Sequence, residues 1–388
     1  MDKLNFAIVG AGLGGLAAAN LLLKTGHRVR VYEQAPEIGE VGAGISLPPN
    51  AAKIIAAMGL GDELKVRANI PEKGVLRNGK TGELIQTSPF GQAVKQRFGD
   101  FYYQLHRADL ISLLTEGALA RDPDCLVTGH CLSSYETDPS GVTLKFENGE
   151  TARADILIGA DGVRSKVRAQ LVGADKPEFT GYVAWRALIP LDRLPAEYAR
   201  PQSNVWIGKG RNVTFYPLRG TSLLNCAMFA SDSEWTAEGW NLPARMEDIH
   251  AAFEGYHPKV QAVIDAIDPA QCFQWALYGR PPIEKWINGR VALMGDAAHP
   301  MLPFLGQGAS MAFEDAAVLA NAFSGLVTIS GALQDYQKTR PERANWVLTE
   351  SAAAGQRFVS PAPTKQTFGK DGAMQMDKLF GYVPPVFA

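Results

Sequence analysis

At 388 residues the chain can bury a sizeable core, and its composition, 46% hydrophobic and 20% charged, is that of a globular protein rather than a disordered or fibrous one. The formal net charge is −2 and the basic residues form no runs, so we expect neither a nucleic-acid partner nor a polybasic membrane patch. No apolar stretch is long enough to span a membrane and the N-terminus is not a signal peptide, which predicts a soluble cytoplasmic protein. The four cysteines form neither a metal-like nor a C-x-x-C spacing, so we expect them to be reduced and to bind no metal.

The N-terminal segment is predicted to form a strand, a glycine turn, a helix and a second strand. The continuous apolar run Phe6–Val9 is typical of a parallel strand that is buried on both faces. A helix is expected over Leu16–Lys24, which is rich in alanine and leucine, with Gly26 at its C-terminal cap. The alternation of residue types in Arg28–Tyr32 indicates the second strand.

The glycine turn carries G-x-G-x-x-G through Gly10, Gly12 and Gly15. In this motif the first glycine permits the tight turn, the second lets the backbone approach a pyrophosphate, and the third lets the helix pack on the strand. The helix N-terminus favours an anion. Glu33 ends the second strand, so we expect it to accept hydrogen bonds from an adenosine ribose and to disfavour a 2′-phosphate. FAD or NAD therefore fits and NADP does not; a glycine turn without a ligand is the alternative.

The middle of the chain predicts further elements of both kinds. Helices are expected at 50–58 and 108–119. Residues 124–148 are expected to form a meander whose strands are Leu126–Val127, Leu132–Tyr135 and Val142–Phe146. Asp155–Gly159 predicts a second buried parallel strand.

From about residue 176 to 280 the pattern becomes typical of an antiparallel sheet. Its predicted strands are Gly181–Pro190, Ser203–Ile207, Asn212–Pro217 and Leu223–Phe229. Val291–Gly295 then predicts one more buried parallel strand. After Gln307-Gly308, helical sequence runs from near Ala309 to about Phe323 and on to about Ala354. This order implies a nucleotide domain that is interrupted by a sheet domain, with a ligand cleft between them.

Two further segments distinguish between the dinucleotides. Ile158–Gly162, followed by Arg164, Ser165 and Arg168, resembles the second motif of the aromatic-ring hydroxylases, which are flavoprotein monooxygenases with one FAD. Gly295–Pro300, with the sequence GDAAHP, resembles their third motif. The resemblance spans about residues 4 to 350, and it is strongest to the branch of salicylate, 3-hydroxybenzoate and 6-hydroxynicotinate hydroxylases.

The resemblance implies an α/β fold in which a Rossmann-like FAD-binding domain is interrupted by a mostly antiparallel β-sheet substrate domain, with a helical C-terminal region. The predicted boundaries are 1–75, 100–175 and 281–350 for the discontinuous FAD-binding domain, 76–99 and 176–280 for the sheet domain, and 351–388 for a C-terminal tail. It also implies FAD, NADH or NADPH as a transient co-substrate, and O2. Through a C4a-hydroperoxyflavin, such an enzyme hydroxylates a small hydroxylated aromatic acid, which we expect to be salicylate-like.

Several residues are expected to hold the FAD. Asp296 follows a buried strand, where a ribitol hydroxyl can donate to it, although it could instead cap a turn. Backbone N–H groups of the loop that opens the next helix would face the flavin pyrimidine ring. Arg107 matches an arginine that contacts FAD; a surface ion pair with Asp109 is the alternative. The predicted cofactor-binding residues are Gly10, Gly12, Leu13, Gly15, Glu33, Gln34, Val41, Gly42, Ala43, Arg107, Asp161, Asp296, Pro303, Gly306, Gln307, Gly308 and Ala309.

The substrate residues are expected on the middle sheet. The predicted catalytic residues are Tyr216, which matches an aromatic position of the family pocket, Arg186, which could pair with a substrate carboxylate, and Pro303. A core tyrosine and an interdomain ion pair are the respective alternatives for Tyr216 and Arg186. An apolar wall is predicted from Leu47, Phe304 and Leu305.

This chain departs from some relatives at positions where they carry a general-base candidate. The 3-hydroxybenzoate enzymes have a histidine near Asn212 and a glutamine near Pro303, and the 6-hydroxynicotinate enzymes have histidines at the positions of Ser46 and Phe304. The chain therefore lacks the general-base candidates of both groups of enzymes. An oxidase or epoxidase acting on a larger apolar substrate, an NAD-dependent dehydrogenase, and a non-catalytic nucleotide-binding protein stay open, and a homodimer is expected only from base rates.

Overall fold

The computed structural model describes residues 3–39, 43–231, 242–325, 328–358, 376–383 and 385. Val41 and Gly42 of the predicted flavin loop lie outside the described residues. Within the described part of the chain, no helix combines the length and the apolar character that crossing a membrane requires.

The described part of the chain contains both strands and helices. The strands are β1 (Asn5–Val9), β2 (Arg28–Tyr32), β3 (Gly44–Leu47), β4 (Lys73–Asn78), β5 (Leu84–Pro89), β6 (Tyr103–His106), β7 (Leu126–Val127), β8 (Leu132–Asp138), β9 (Gly141–Phe146), β10 (Thr151–Ala154), β11 (Ile156–Gly159), β12 (Glu178–Pro190), β13 (Gln202–Gly208), β14 (Arg211–Leu218), β15 (Leu223–Ser231), β16 (Leu242–Pro243), β17 (Cys272–Gly279), β18 (Ile287–Asn288) and β19 (Val291–Leu293). The helices are α1 (Leu13–Lys24), α2 (Pro49–Ala57), α3 (Gly61–Arg67), α4 (Gly91–Phe98), α5 (Arg107–Leu119), α6 (Lys166–Val172), α7 (Met246–Ala252), α8 (Pro258–Asp265), α9 (Gly308–Ala322) and α10 (Ile329–Phe358).

A six-stranded sheet, in the order β18-β19-β11-β1-β2-β7, forms the centre of the nucleotide half. Its strands run parallel except β18, which pairs antiparallel with β19 at one edge. β11 is buried along its whole length, as its apolar sequence predicts, and so is β1 after its first residue. Helices α1 and α9 pack against each other, and their buried side chains join the same hydrophobic core as the sheet.

An eight-stranded sheet, in the order β16-β17-β12-β15-β14-β13-β4-β5, forms the other half. It is antiparallel except where β13 and β4 run parallel. Because side chains alternate between the faces of a strand, each strand presents one set of residues to each side of the sheet. One face, which carries Trp185, Phe215 and Cys226, packs in a hydrophobic core with Ile249 of α7 and Val260 of α8. The opposite face is directed to the candidate site.

The meander differs from its prediction at both ends. Leu126–Val127 is not part of it: β7 joins the parallel sheet beside β2. The three antiparallel strands are β8, β9 and β10, and β10 was not predicted. A strand of two residues carries too little pattern to reveal its partner, which long-range packing decides.

The segment 351–388, which was predicted as a C-terminal tail, begins with helical residues. α10 runs to Phe358, past residue 350, and contains Pro341. Residues 376–380 form a further short helical turn. The division of the whole chain into the predicted domains stays a prediction.

Candidate active site

The three motifs lie side by side at the carboxyl ends of adjacent parallel strands. The first follows β1, the second follows β11, and the third follows β19, and these strands are neighbours in the sheet. Backbone hydrogen bonds continue the ladder into the motifs: Ala160 N donates to Val9 O (2.9 Å), and Met294 N donates to Gly159 O (3.0 Å). The carboxyl edge of an open parallel sheet is where ligands bind in such folds.

The glycines of the first motif have the three different environments that a pyrophosphate turn requires. Gly10 has a φ of +102°, and an added Cβ would lie 2.4 Å from Ala160 O. At Gly15 an added Cβ would lie 2.0 Å from Gly10 O. At Gly12, by contrast, a Cβ would meet nothing within 4 Å, so this backbone faces open space at the N-terminus of α1. The geometry therefore fits a bound pyrophosphate, because space is free only at the glycine that must approach it.

Glu33 ties the second strand to the glycine turn. Its carboxylate accepts hydrogen bonds from Ala11 N (2.8 Å) and Ala35 N (2.9 Å). These bonds orient the carboxylate at the end of β2, next to the turn, and leave further lone pairs for a ribose hydroxyl. Leu13 is buried in α1, and Gln34 is exposed beside Cys131. The contacts of these residues with a cofactor stay predictions.

Asp161 of the second motif caps helix α6. Its carboxylate accepts hydrogen bonds from Ser165 Oγ (2.5 Å), Lys166 N (2.7 Å) and Val167 N (3.1 Å). The pKa of Asp161 lies above the ordinary value, because the effect of burial exceeds the opposite effect of these hydrogen bonds. The structure thus gives Asp161 a role in holding the second motif; a contact with FAD stays a prediction.

Arg168 connects the second motif to the third. It is 1% exposed and donates from Nη1 to Ala297 O (3.2 Å) and Ala298 O (2.9 Å). Its other side pairs with Asp175 (Nη2–Oδ2, 2.8 Å), which also pairs with Arg280. The two chain segments are therefore joined directly by side-chain hydrogen bonds.

Asp296 lies in a tight turn that a buried carboxylate holds. Gly295 begins this turn at a φ of +57°, and its N–H donates to Asp315 Oδ2 (2.8 Å). Asp315 is fully buried and also bonds His299 Nε2 (2.6 Å) and Arg340 Nε (2.8 Å). Burial alone would raise the pKa of Asp315, but the charges of His299 and Arg340 hold it below the ordinary value.

The Asp296 side chain itself is exposed, and its carboxylate has no hydrogen-bond partner among the described residues. The protein packed around it raises the pKa of Asp296, while the charges of His299 and Arg107 act in the opposite direction. A carboxylate held at a strand end without a protein partner is free to accept a ligand hydroxyl.

The third motif continues into the loop that opens α9. Pro303–Leu305 form a short 3-10 turn, Gly306 has a φ of +63°, and Gly308 begins the helix, followed by the half-buried Ala309. Three buried side-chain atoms in and beside this helix start have no partner among the described residues; they are Asn50 Oδ1, Gln307 Nε2 and Ser310 Oγ. Buried polar atoms of this kind indicate a place for a bound polar group or water, which fits the predicted flavin position.

Arg107 begins α5 directly after strand β6. Its backbone N–H donates to Ala43 O (2.8 Å), so it adjoins the described end of the predicted flavin loop. His106 caps the same helix, since its Nδ1 accepts from Ala108 N (3.2 Å). Asp109 forms a two-pronged ion pair with Arg219, in the turn between β14 and β15 (2.7 and 3.0 Å).

Arg186 and Tyr216 share the site-facing side of the eight-stranded sheet. Arg186 on β12 stands opposite Ala227 of β15, and Tyr216 on β14 stands opposite Asn225, two positions along β15. Because directly opposed residues share a face and every second residue along a strand repeats it, both side chains project to one side. The Arg186 guanidinium lies over the Trp275 ring, 4.9 Å from its centroid.

Tyr216 lies where this sheet meets strand β3. A Cβ added to Gly44 would be 2.7 Å from the Tyr216 hydroxyl and 2.5 Å from Asn225 Cγ, so only glycine allows this approach. Gly44 N donates to Asn225 Oδ1 (2.7 Å). Burial raises the pKa of Tyr216 well above the ordinary value and the nearby Tyr102 adds to this effect, while Ser46 and the charge of Arg186 lower the pKa.

The apolar wall consists of partly different residues from those predicted. Phe304 packs against Tyr182 (5.1 Å between centroids) and Phe229 (5.6 Å), on the same face as Arg186. Leu47 was wrongly assigned to this wall: it is fully buried in the main core, because it lies on the opposite face of β3 from Ser46. Leu305 packs in a cluster with Met311 and Tyr102, and its place in the wall stays a prediction.

Sequence reasoning missed several residues of the site. Tyr102, Asn225 and Trp275 all reach it from strands or strand ends, but none belongs to a motif. Asn225 lies on a predicted strand and shares a face with Tyr216, so the pairing of the two neighbouring strands could have indicated it. Trp275 lies on β17, which was not predicted as a strand.

Comparison with known proteins agrees with this geometry. The family described as FAD binding domain matches residues 3–351. A 3-amino-4-hydroxybenzoate 2-monooxygenase of Streptomyces platensis is 36% identical over 98% of this chain and 95% of its own. A 6-hydroxynicotinate 3-monooxygenase of Pseudomonas fluorescens is 38% identical over 88% of each chain.

Solved structures show the same fold. Klebsiella pneumoniae HpxO, complexed with FAD and uric acid, is 28% identical with a TM-score of 0.83 over 98% of this chain and 93% of that one. A salicylate hydroxylase in complex with its substrate is 27% identical with a TM-score of 0.83 over 100% of this chain and 99% of that one. The chain therefore belongs to the FAD binding domain family, and it is an FAD-dependent monooxygenase of the aromatic hydroxylase type.

Proposed function

We propose that this enzyme hydroxylates a monocyclic aromatic acid that already carries a hydroxyl group. The observation that carries the proposal is the placement of Arg186 and Tyr216 on one face of the sheet, next to an apolar wall. The relatives named for 3-amino-4-hydroxybenzoate, 6-hydroxynicotinate and salicylate act on rings that combine a carboxylate and a hydroxyl, which supports the same class for this chain.

Arg186 is proposed to bind the substrate carboxylate. A guanidinium presents two parallel donors that match a carboxylate, and the ring of Trp275 beneath it fixes its plane. The flat apolar surface of Phe304, Phe229 and Tyr182 would receive the ring of the substrate and keep water away from it.

Tyr216 is proposed to hydrogen-bond the substrate hydroxyl. Since burial raises its pKa, Tyr216 keeps its proton and acts as a donor rather than as a base. A donor at this oxygen stabilises the phenolate form, which makes the ring more reactive towards an electrophilic oxygen. The chain has Ser46, Asn212 and Phe304 where relatives carry general-base candidates, so a donor mechanism agrees with its sequence.

The FAD is proposed to lie along the three motifs. Its pyrophosphate would meet the backbone at Gly12, its adenosine ribose Glu33, its ribitol Asp296, and its ring the loop from Pro303 to Gly308. Bound FAD, reduced by NAD(P)H, supplies activated oxygen for the ring. The residues of the chain bind and orient both partners.

The test is a substrate panel with product analysis. Salicylate, 3-hydroxybenzoate, 3-amino-4-hydroxybenzoate and 6-hydroxynicotinate are compared with phenol and uric acid, which lack a carboxylate. We expect an acid to stimulate NAD(P)H oxidation and to gain one oxygen atom from labelled O2. Stimulation by phenol or uric acid alone, or product without labelled oxygen, would refute the proposal.

A variant pair tests the role of Arg186. Arg186→Ala should raise KM for the acid roughly tenfold or more, as loss of a hydrogen bond to a charged group requires, and should leave KM for an uncharged phenol nearly unchanged. Arg193→Ala, at an exposed arginine of the same sheet domain, is the control. An equal rise for both substrates in Arg186→Ala would refute the carboxylate contact.

We further propose that the enzyme acts in the cytoplasm as a homodimer, on the composition and base rates given above. Sedimentation of the purified protein tests the second point, and a monomer at micromolar concentration would exclude it.

A further inference from the structure

The C-terminal segment 376–383, which we call the strap, packs against a side chain of the candidate substrate site. Phe380 is 7% exposed and contacts the ring of Tyr102 (5.9 Å between centroids) and that of Phe98 (5.6 Å). On its other side Tyr102 stacks on Phe90 at 4.7 Å and 5°. The Tyr102 ring is therefore held between two aromatic rings, one of which the strap supplies.

Tyr102 reaches the residues that we assign to the substrate. Burial raises the pKa of Tyr102 and that of Tyr216, the nearby Tyr102 raises that of Tyr216 further, and Ser46 lowers the pKa of both tyrosines. The three side chains are thus neighbours in one polar cluster, on the side of β3 that faces the eight-stranded sheet. A displacement of the Tyr102 ring would disturb this cluster directly.

Two cations fix the strap by its backbone. Arg343 donates to Lys378 O (3.1 Å) and Leu379 O (3.4 Å), and Lys53 donates to Tyr382 O (3.0 Å). The carbonyls at the end of a helical turn attract positive charge, so these contacts cap the turn 376–380. The Arg343 guanidinium also lies 3.8 Å from the centroid of the Tyr382 ring.

The same cations lead to the loop that opens α9. Arg343 pairs with the fully buried Glu314 (2.6 Å), which accepts from Asn50 Nδ2 (2.9 Å), and Asn50 Nδ2 also donates to Gln307 Oε1 (3.1 Å). The strap therefore contacts the substrate side through Phe380. It is linked to the cofactor side indirectly, because Arg343, which binds its carbonyls, also pairs with Glu314.

We propose that the strap is a positioning element for catalysis: it holds Tyr102 at the substrate hydroxyl and closes this side of the site to water. The inference rests on the proposed function, because it assigns the Ser46, Tyr102 and Tyr216 cluster to the hydroxyl group of the aromatic acid. Loss of the strap frees Tyr102, which weakens substrate binding and lets water reach the site, so reduced cofactor is consumed without product.

The test uses FAD-loaded full-length protein, Phe380→Ala, and a chain that ends at Gln375. Val383→Ser, at a residue of the strap that is 71% exposed, is the matched control. We expect Phe380→Ala and the shortened chain to keep their FAD, to raise KM for the acid roughly threefold to tenfold, and to lower the product formed per NAD(P)H, while the control matches wild type.

The role of Tyr102 is tested by a double-variant cycle. Tyr102→Phe keeps the ring but removes the hydroxyl, so Phe380→Ala should have little further effect on KM in that background. Equal effects of Phe380→Ala with and without the Tyr102 hydroxyl, or unchanged KM and coupling in a folded Phe380→Ala protein, overturn the inference. If no aromatic acid stimulates even the wild-type enzyme, the proposed function fails instead.

Discussion

Arg168 Nη1 lies 2.9 Å from Ala298 O, and through this hydrogen bond the second motif of the sequence holds the third. The two residues are 130 positions apart along the chain, yet the arginine is 1% exposed and pairs with Asp175 on its other side. The bond fixes the turn in which Asp296 stands, so an arginine that need not touch the cofactor can still determine whether the site forms.

Replacing Arg168 should therefore reduce both stability and cofactor retention. Arg168→Ala removes two hydrogen bonds and an ion pair from a buried position, so we expect a loss of about 3–5 kcal/mol in the free energy of unfolding and a lower FAD content. Arg164→Ala, at the exposed arginine of the same motif, is the control. Urea unfolding and the flavin absorbance measure the two effects; a fully yellow, equally stable Arg168→Ala protein would contradict the account.

The glycines of the first motif should respond in opposite ways to one added methyl group. Gly10→Ala must clash with Ala160 O at a positive φ, so we expect a less stable protein. Gly12→Ala meets open space, so the apoprotein should keep its stability, but the methyl group would occupy the place of the pyrophosphate and weaken FAD binding. Thermal unfolding of the apoproteins and FAD titration separate the two; unchanged FAD affinity in Gly12→Ala would place the pyrophosphate elsewhere.

Tyr216 should control the pH dependence of the reaction. Because burial raises its pKa, Tyr216 stays protonated throughout the ordinary assay range, and the group that loses a proton is the substrate hydroxyl. Tyr216→Phe removes a donor that stabilises the phenolate, so the rise of kcat/KM should move to higher pH, with a loss of roughly tenfold to a hundredfold at neutral pH. Tyr278→Phe, on β17, is the control. A rise at the same pH in Tyr216→Phe would show that this hydroxyl does not contact the substrate.

The ion pair between Asp109 and Arg219 should stabilise the protein at neutral pH and not in acid. The hydrogen bond from Arg219 is the largest effect and lowers the pKa of Asp109 below 3.8, its ordinary value; burial opposes it. A depressed folded-state pKa contributes stability above the unfolded value, and that contribution is lost as the pH falls through the folded value.

Asp109→Asn should thus cost about 1 kcal/mol or less at neutral pH, since both side chains are partly exposed. The difference should shrink as the pH falls from the ordinary pKa of the carboxyl group, 3.8, through its lower folded-state pKa. Urea midpoints for both proteins across this range measure it. A difference that is constant with pH would mean that the carboxylate charge is not involved.

The convergence of the motifs could be predicted from the sequence because it depends on local rules. Each motif follows a short apolar run, and parallel buried strands place their carboxyl ends at one edge, so Gly10, Asp161 and Asp296 were expected together. The alternation in β12 and β14 likewise predicted strands that carry Arg186 and Tyr216.

The rest of the site depends on long-range packing. Leu126 and Val127 join the parallel sheet because of their place beside β2, and Leu47 turns away from the site because of the register of β3. Tyr102 and Phe380 are far apart in the sequence and meet only in the fold, and no periodic pattern marks either of them. Such contacts carry no local signal, so the sequence alone could not predict them.

The central claim is that the three motifs together hold one FAD, and titration of the purified apoprotein with FAD tests it most directly. The account predicts saturation at one FAD per chain in the wild type, and much weaker uptake in Glu33→Ala, Gly12→Ala and Asp296→Ala, each of which alters a different motif or the strand beside it. A wild-type protein that takes up no flavin, or three variants that bind FAD as tightly as the wild type, would contradict it.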